Sequence, residues 1–173
     1  EKERQDLLEK WATTDPLTNL YNRRHFFELA DRELERSRRL KSELSFIMLD
    51  IDYFKLVNDK FGHLTGDNAL ILLSTILKDA LRKVDFCCRY GGEEFVLCLP
   101  DTPSQGAWEV AERIRTQVAC TPLNTQDDEE VYIQVSLGIA TSKREQNVEI
   151  ILKRADEALY KAKEAGRNQT KVA

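Results

Sequence analysis

Arg89-Tyr90-Gly91-Gly92-Glu93-Glu94-Phe95 sits between two short apolar runs, Phe86-Cys87-Cys88 before it and Phe95-Val96-Leu97-Cys98-Leu99 after it. Two strand-like runs joined through Gly-Gly read as a β-hairpin, because a tight two-residue turn demands positive φ at both central positions. Glycine also leaves no side chain in the way of a ligand that approaches the backbone. Two carboxylates, Glu93 and Glu94, follow the turn at once, beside that cleared approach. Alone, a Gly-Gly-Glu-Glu string suits a solvated turn as well as a binding site, so its meaning depends on what the rest of the chain brings to it.

Upstream, Leu44 to Ile51 is a nearly continuous apolar run, the mark of a strand buried on both faces. It ends in Asp50-Ile51-Asp52. Residues i and i+2 share a face of a strand, so both acids can point one way. Acids on a buried strand are costly unless they are paired or bound to a cation. The competing reading, acids turning outward where the strand leaves the sheet, fits this stretch equally well. A helix is expected over residues 23–41 with Asn22 as its N-cap, its arginines forming a largely solvated face. Another is expected from Ala69 to about Arg82, with Leu70, Leu73, Leu77 and Leu81 as its apolar stripe and Asp67 as its N-cap.

Downstream, a helix over residues 105–119 turns Ala107, Val110, Ala111, Ile114 and Val118 inward, and residues 131–139 read as one strand. A last helix over about 148–165 buries Ile151, Leu152, Ala155, Leu159 and Ala162, with Gly166 at its C-terminal cap. Residues 1–13 carry Leu7, Leu8 and Trp11 at helical spacing and read as the end of a linker helix, which Asp15-Pro16 breaks. The expected division is therefore a linker helix over residues 1–13 and one domain over residues 14–173. Helices alternating with strands and a hairpin predict an α/β sandwich with helices over a mixed sheet. Neither Gly-x-Gly-x-x-Gly nor a Gly-Lys-Ser/Thr loop is present, which disfavours the doubly wound nucleotide fold.

Composition bounds the function. The 173 residues suit one domain with a real core, and 42% hydrophobic with 32% charged residues describes a soluble globular chain. A net charge of −4 gives no overall pull towards nucleic acid or an anionic membrane. No apolar run approaches the roughly 18–20 residues that span a bilayer, and Glu1-Lys2-Glu3-Arg4 is no signal peptide. The only methionine is Met48, so a segment of a longer, cytoplasmic protein is expected. Cys87, Cys88, Cys98 and Cys120 lack metal-type spacing and read as reduced thiols; with only His25 and His63 beside them, a zinc site is not expected.

Taken together, these stretches resemble the GGDEF-domain family. Residues 89–95 form the Glu variant of its signature, and Asp15-Pro16-Leu17-Thr18-Asn19-Leu20-Tyr21-Asn22-Arg23-Arg24 resembles its opening motif. Asp50-Ile51-Asp52-Tyr53-Phe54-Lys55, Asn58-Asp59, Phe61-Gly62-His63, Gly66-Asp67 and Lys163 through Asn168 fall in the family's order and spacing. The resemblance covers about residues 13–170. It implies a palm-like α+β fold related to class III nucleotidyl cyclases, with a central β-hairpin carrying the signature. It also implies a diguanylate cyclase, which condenses two GTP into cyclic di-GMP and two pyrophosphates.

The residue roles follow from the resemblance. Asp50, Glu93 and the carbonyl of Ile51 correspond to ligands of Mg²⁺, two ions per site with Mn²⁺ as an alternative, hard cations suited to oxygen donors. Glu94 is expected to help the second metal or to accept the 3′-hydroxyl proton, and Asp52 to be structural. Asn58 and Asp67 correspond to the guanine contacts, Asp67 favouring GTP over ATP. Lys55, Lys163 and Arg167, with main-chain N–H groups near Phe54, correspond to triphosphate contacts, and Gly91 and Gly92 let the nucleotide lie close. Arg82-x-x-Asp85, with Arg113 as a secondary contact, matches an inhibitory product site, where arginine forks onto phosphate or guanine and the acid accepts from the guanine donor edge. Each domain holds one GTP, so a homodimer is implied, paired by an upstream sensory domain acting through residues 1–13. The alternative is a catalytically silent module that binds cyclic di-GMP; nucleic acid is not an expected partner.

Overall fold

Leu44–Ile51 forms β1, and all eight of its residues are buried. In the computed structural model, which describes residues 1–145 and 147–173, β1 is the middle strand of a five-stranded sheet. It pairs antiparallel with β3 (Glu94–Pro100) on one side and with β6 (Val135–Thr141) on the other. β2 (Phe86–Arg89) joins β3 to form the hairpin, and β7 (Thr170–Val172) runs parallel to β6, giving the order β2-β3-β1-β6-β7. The fold is a mixed sheet flanked by helices, as the sequence pattern predicts.

Alternation along the strands divides the core in two. Ile47, Leu49 and Ile51, with Leu97, Leu99, Leu137 and Ile139, pack towards α4 (His63–Ala80) and α5 (Ser104–Cys120). Phe46 and Met48, with Val96, Cys98 and Ala140, pack towards α2 (Arg23–Leu40) and α6 (Val148–Glu164). Because side chains alternate, Asp50 belongs to the second set and emerges on the α6 side. α6 lies unusually deep on β6. A Cβ added at Gly138 would stand 2.1 Å from the carbonyl oxygen of Ala155 and 2.3 Å from the nitrogen of Leu159. This glycine is needed for close backbone approach, not for a turn, and it sets the height of the whole C-terminal helix.

Several boundaries differ from the sequence reading. The hairpin turn spans residues 90–93, and neither Gly91 nor Gly92 is among the positive-φ glycines, which are Gly62 and Gly166. The longer turn closes instead through the N–H groups of Tyr90 and Gly91, which both donate to the carbonyl of Glu94. Residues 131–139 are not one strand. Glu130–Val131 forms β5, paired with β4 (Leu123–Asn124) in a separate ribbon, and the main strand starts at Val135. Asp67 is not an N-cap but the fifth residue of α4, whose N-cap is Gly62. Ahead of it runs α3 (Phe54–Phe61), a helix of only eight residues with no fully buried side chain: Phe54 and Val57 pack partly on the core and Leu56 is exposed. Residues 2–13 form α1, with no buried side chain, and no helix among the described residues is long and apolar enough to cross a membrane.

The thiols behave as small apolar side chains. Cys87, Cys88 and Cys98 are buried and free, and burial pushes the Cys87 thiol up to about 12.

The Gly138 contact gives a direct test. A methyl group there meets helix backbone, which cannot rotate away, so Gly138→Ala is expected to destabilise the domain by about 3 kcal/mol or more. Urea unfolding with an unchanged midpoint would show that α6 does not depend on this approach.

Candidate active site

The C-terminal end of β1 meets the start of β3. Asp50 is the cross-strand partner of Glu94, and the N–H of Ile51 donates to the carbonyl of Glu93 at 3.3 Å. Asp50 and Glu94 therefore share the face towards α6. Glu93 precedes the strand, so alternation does not force it away from Asp50. Asp50 is 4% exposed, and Lys163 on α6 reaches its Oδ2 at 2.5 Å. Burial pushes the Asp50 carboxyl up to about 6; Lys163 opposes that rise, while the charges of Glu93 and then Glu94 add to it. Glu94 also folds back over the turn, its Oε2 lying 2.9 Å from where a Cβ on Gly91 would stand, whereas Gly92 opens on free space.

A second group of expected residues lies around α3. Tyr53 adopts a left-handed conformation (φ 54°) as the N-cap of α3, and no side chain caps the helix, so the first-turn N–H groups at Phe54 and Lys55 are left for an anion. The Arg167 guanidinium stacks over the Tyr53 ring, 4.5 Å from its centroid. Lys55 is exposed on the first turn. Asn58 lies on the same helix, with Gly66 of α4 packed so closely beneath it that an added Cβ would stand 1.8 Å from its Oδ1. Asp67, the next residue, is exposed. The two expected guanine contacts are thus set by an α3–α4 packing that only glycine permits. Asp52 is held structurally: it accepts from the hydroxyl of Ser136 at 2.6 Å and from the N–H of Asn168 at 2.9 Å.

Sequence reading missed what steadies the turn. Arg89 donates through two guanidinium nitrogens to the carbonyl of Gly92 at 3.1 and 2.9 Å, and through the third to Asp15 at 3.3 Å. Asp15 in turn accepts from the N–H and hydroxyl of Thr18. Above it, Asn22 and Arg24 donate to the carbonyl of Ala12 at the end of α1. The opening motif is therefore tied to the glycine turn through one arginine. The Arg-Tyr-Gly-Gly spacing with an early Asp was the available signal, but nothing local in the sequence pairs residues this far apart.

Arg82, Asp85 and Arg113 stand apart from these groups and line one cavity of about 460 Å³ with Thr102, Pro103 and Val110. Arg82 donates to Asp85 through its main-chain N–H, Nε and Nη2, and again through Nη2 to Pro100 and Thr102. The Asp85 side chain is 2% exposed, so a ligand that takes its carboxylate must first open this pair. Arg113 donates to the carbonyl of Ala80, the last residue of α4.

The residues around Asp50 suit a hard divalent cation. A buried carboxylate pressed by two others is short of positive charge, and Lys163 supplies one unit of it. No three His, Cys, Asp or Glu side chains among the described residues close on a metal by themselves. A cation here would thus draw on the Asp50 and Glu93 carboxylates, the Ile51 carbonyl and the oxygens of a bound phosphate, the pattern Mg²⁺ favours.

The raised Asp50 pKa fixes a sign. Above pH 6 the carboxylate is ionised in both the folded and the unfolded chain, and its full burial penalty weakens the fold. Between pH 6 and about 4 the folded state takes up the proton first, so this group adds stability as pH falls. Asp50→Asn is expected to raise the stability of the metal-free domain at pH 7.5 by about 1–3 kcal/mol, a gain that shrinks towards pH 5. Denaturant unfolding across that range checks it; a destabilised variant at pH 7.5 would mean the Lys163 pair outweighs desolvation.

The family described as "Diguanylate cyclase, GGDEF domain" matches residues 12–169. The diguanylate cyclase DgcP of Pseudomonas aeruginosa is 42% identical over 162 residues, 94% of this chain and 24% of its own length. The response regulator PleD of Caulobacter vibrioides is 42% identical over 159 residues, 91% of this chain and 35% of its own. The chain thus spans about a quarter to a third of these curated relatives. The solved GGDEF domain of DgcB from Caulobacter crescentus, in complex with c-di-GMP, superposes with a TM-score of 0.90 at 35% identity, covering 93% of this chain and 95% of that one. With the signature turn, the sheet order and the match along nearly its whole length, this chain belongs to the GGDEF-domain family of diguanylate cyclases.

Proposed function

We propose that this domain condenses two GTP into cyclic di-GMP and two pyrophosphates, each of two copies presenting one nucleotide to the other. The observation that carries the reading is the convergence at one end of the sheet of Asp50, Glu93 and Glu94 with Lys163, while Arg167 lies over Tyr53 just beyond the end of β1. In each of two steps a ribose 3′-oxygen attacks the α-phosphorus of the opposite GTP, and the bond to pyrophosphate breaks. Asn58 and Asp67 hold the guanine edge, the carboxylate answering the N1–H and N2–H₂ donors. Lys55, Lys163, Arg167 and the first-turn N–H groups of α3 hold the phosphates. Asp50, the Ile51 carbonyl, Glu93 and Glu94 would hold two Mg²⁺ ions, which would supply charge neutralisation at the phosphoryl oxygens. Glu94, beside the glycine turn, takes the proton of the attacking hydroxyl. Gly91 and Gly92 keep that approach clear.

Pairing two copies supplies orientation that a single domain lacks, which can lower the barrier by several kcal/mol. Residues 1–13 serve as the end of a signalling helix from an upstream sensory domain, and residues 14–173 as the cytoplasmic output domain. Product returning to Arg82, Asp85 and Arg113 inhibits the enzyme.

Incubation with GTP and Mg²⁺ over a range of protein concentrations tests this reading. Cyclic di-GMP should form with a specific rate that rises with concentration, and Glu93→Ala should lower it at least about 100-fold with the fold intact. No product at any concentration, with Arg82-dependent binding of cyclic di-GMP retained, would make the domain a receptor for that nucleotide instead.

A further inference from the structure

The segment between α6 and β7 carries three consecutive residues at positive φ: Gly166 at 114°, Arg167 at 64° and Asn168 at 44°. Glycine adopts this conformation freely, but an arginine holds it only where its surroundings impose it. The surroundings are an ordered set of bonds from three other elements. The N–H of Asn168 donates to Asp52 at 2.9 Å, and Asp52 is itself fixed by the Ser136 hydroxyl at 2.6 Å. From α5, Arg115 donates to the Asn168 side-chain oxygen at 3.2 Å and to its carbonyl at 3.5 Å. Arg115 is forked onto Glu112 at 2.6 and 3.0 Å, and Glu112 also accepts from Thr170 at 3.0 Å on the far side of the segment. The bond to Arg115 keeps the Glu112 carboxyl below its ordinary range, so the pair stays charged.

Arg167 is delivered by this arrangement. Its N–H donates to the carbonyl of Ala162, and its guanidinium lies over Tyr53 at the uncapped N-terminus of α3. The helix itself ends at Glu164, so the position of Arg167 is set by this left-handed segment rather than by α6.

We propose that Asp52, Glu112, Arg115 and Asn168 are positioning residues for the triphosphate, acting by holding the left-handed Gly166–Asn168 segment so that Arg167 faces the phosphate position at α3. The inference rests on the reading of Arg167 as a triphosphate contact. The four bond to one another and to the segment that carries Arg167, so their effect is expected to pass through Arg167.

A double-mutant cycle on KM for GTP separates that route from a general structural one. Arg115→Ala is expected to raise KM about tenfold, the scale of losing one charge-assisted bond, with kcat changed less than KM. Placed on Arg167→Ala, the same change should raise KM less than about twofold, because the group it positions is gone. Asn168→Ala, which removes the side-chain acceptor but keeps the main-chain bond to Asp52, serves as the second variant and should behave likewise. Inorganic tripolyphosphate should compete with GTP about tenfold more weakly in Arg115→Ala, and guanosine should compete as in the unaltered domain. Equal losses in both backgrounds, or weakened competition by guanosine as well, would overturn the proposal. If Arg167→Ala leaves KM unchanged while the unaltered domain turns GTP over, the proposal falls and the cyclase reading stands.

Discussion

One ion pair organises the working end of this domain: half-buried Lys163 against buried Asp50, 2.5 Å apart, at the end of β1. Each member is placed by a different constraint. Alternation along β1 turns Asp50 to the α6 side, and the missing side chain at Gly138 lets α6 settle deeply enough for Lys163, one turn beyond Leu159, to reach it. Burial pushes the Asp50 carboxyl up to about 6; Lys163 opposes that rise, and the nearby charges of Glu93 and Glu94 add to it. Such a carboxylate can accept more positive charge, which is what the proposed cations would bring.

The loops at this end are held by groups that lie outside them. Arg89 donates to the carbonyl of Gly92 and the carboxylate of Asp15, so the glycine turn is tied to the segment after α1. Asn58 sits where Gly66 makes room for it, and Arg167 where Asp52 and Arg115 hold Asn168. Residues in left-handed conformations, Tyr53 and Arg167, meet face to face in a cation–π contact. The rigid parts of the sheet thus supply the carboxylates, while the adjustable side chains come from helix ends fixed by long-range polar bonds.

The large elements were legible in the sequence because they carry strong patterns. Leu44–Ile51 is apolar throughout and is the central strand, and the inward residues of α5 and α6 fall where helical spacing puts them. Short or weakly patterned pieces were less legible. The eight-residue α3 has only a partly buried apolar face, β7 is three residues at a sheet edge, and the break before Val135 falls inside a β-branched run. The glycines of the turn were expected for their φ values, yet Gly91 serves through the room it leaves for Glu94. The candidate residues themselves were readable through the resemblance. Their supports, Asp15 with Arg89, Gly138 under α6, and Arg115 with Asn168, were not, since each pairs residues that only the folded chain brings together.

The state of Asp50 tests the central claim most directly. Carboxyl ¹³C NMR of the domain, titrated in pH without ligand and again with Mg²⁺ and a non-hydrolysable GTP analogue, reads that one group. Without ligand its pKa should lie near 6, and with metal and nucleotide it should fall below the ordinary carboxylate value of about 4. A pKa near 4 in the free domain, or one that stays near 6 when Mg²⁺ and the analogue are bound, would contradict a buried Asp50, paired with Lys163, that takes up further positive charge.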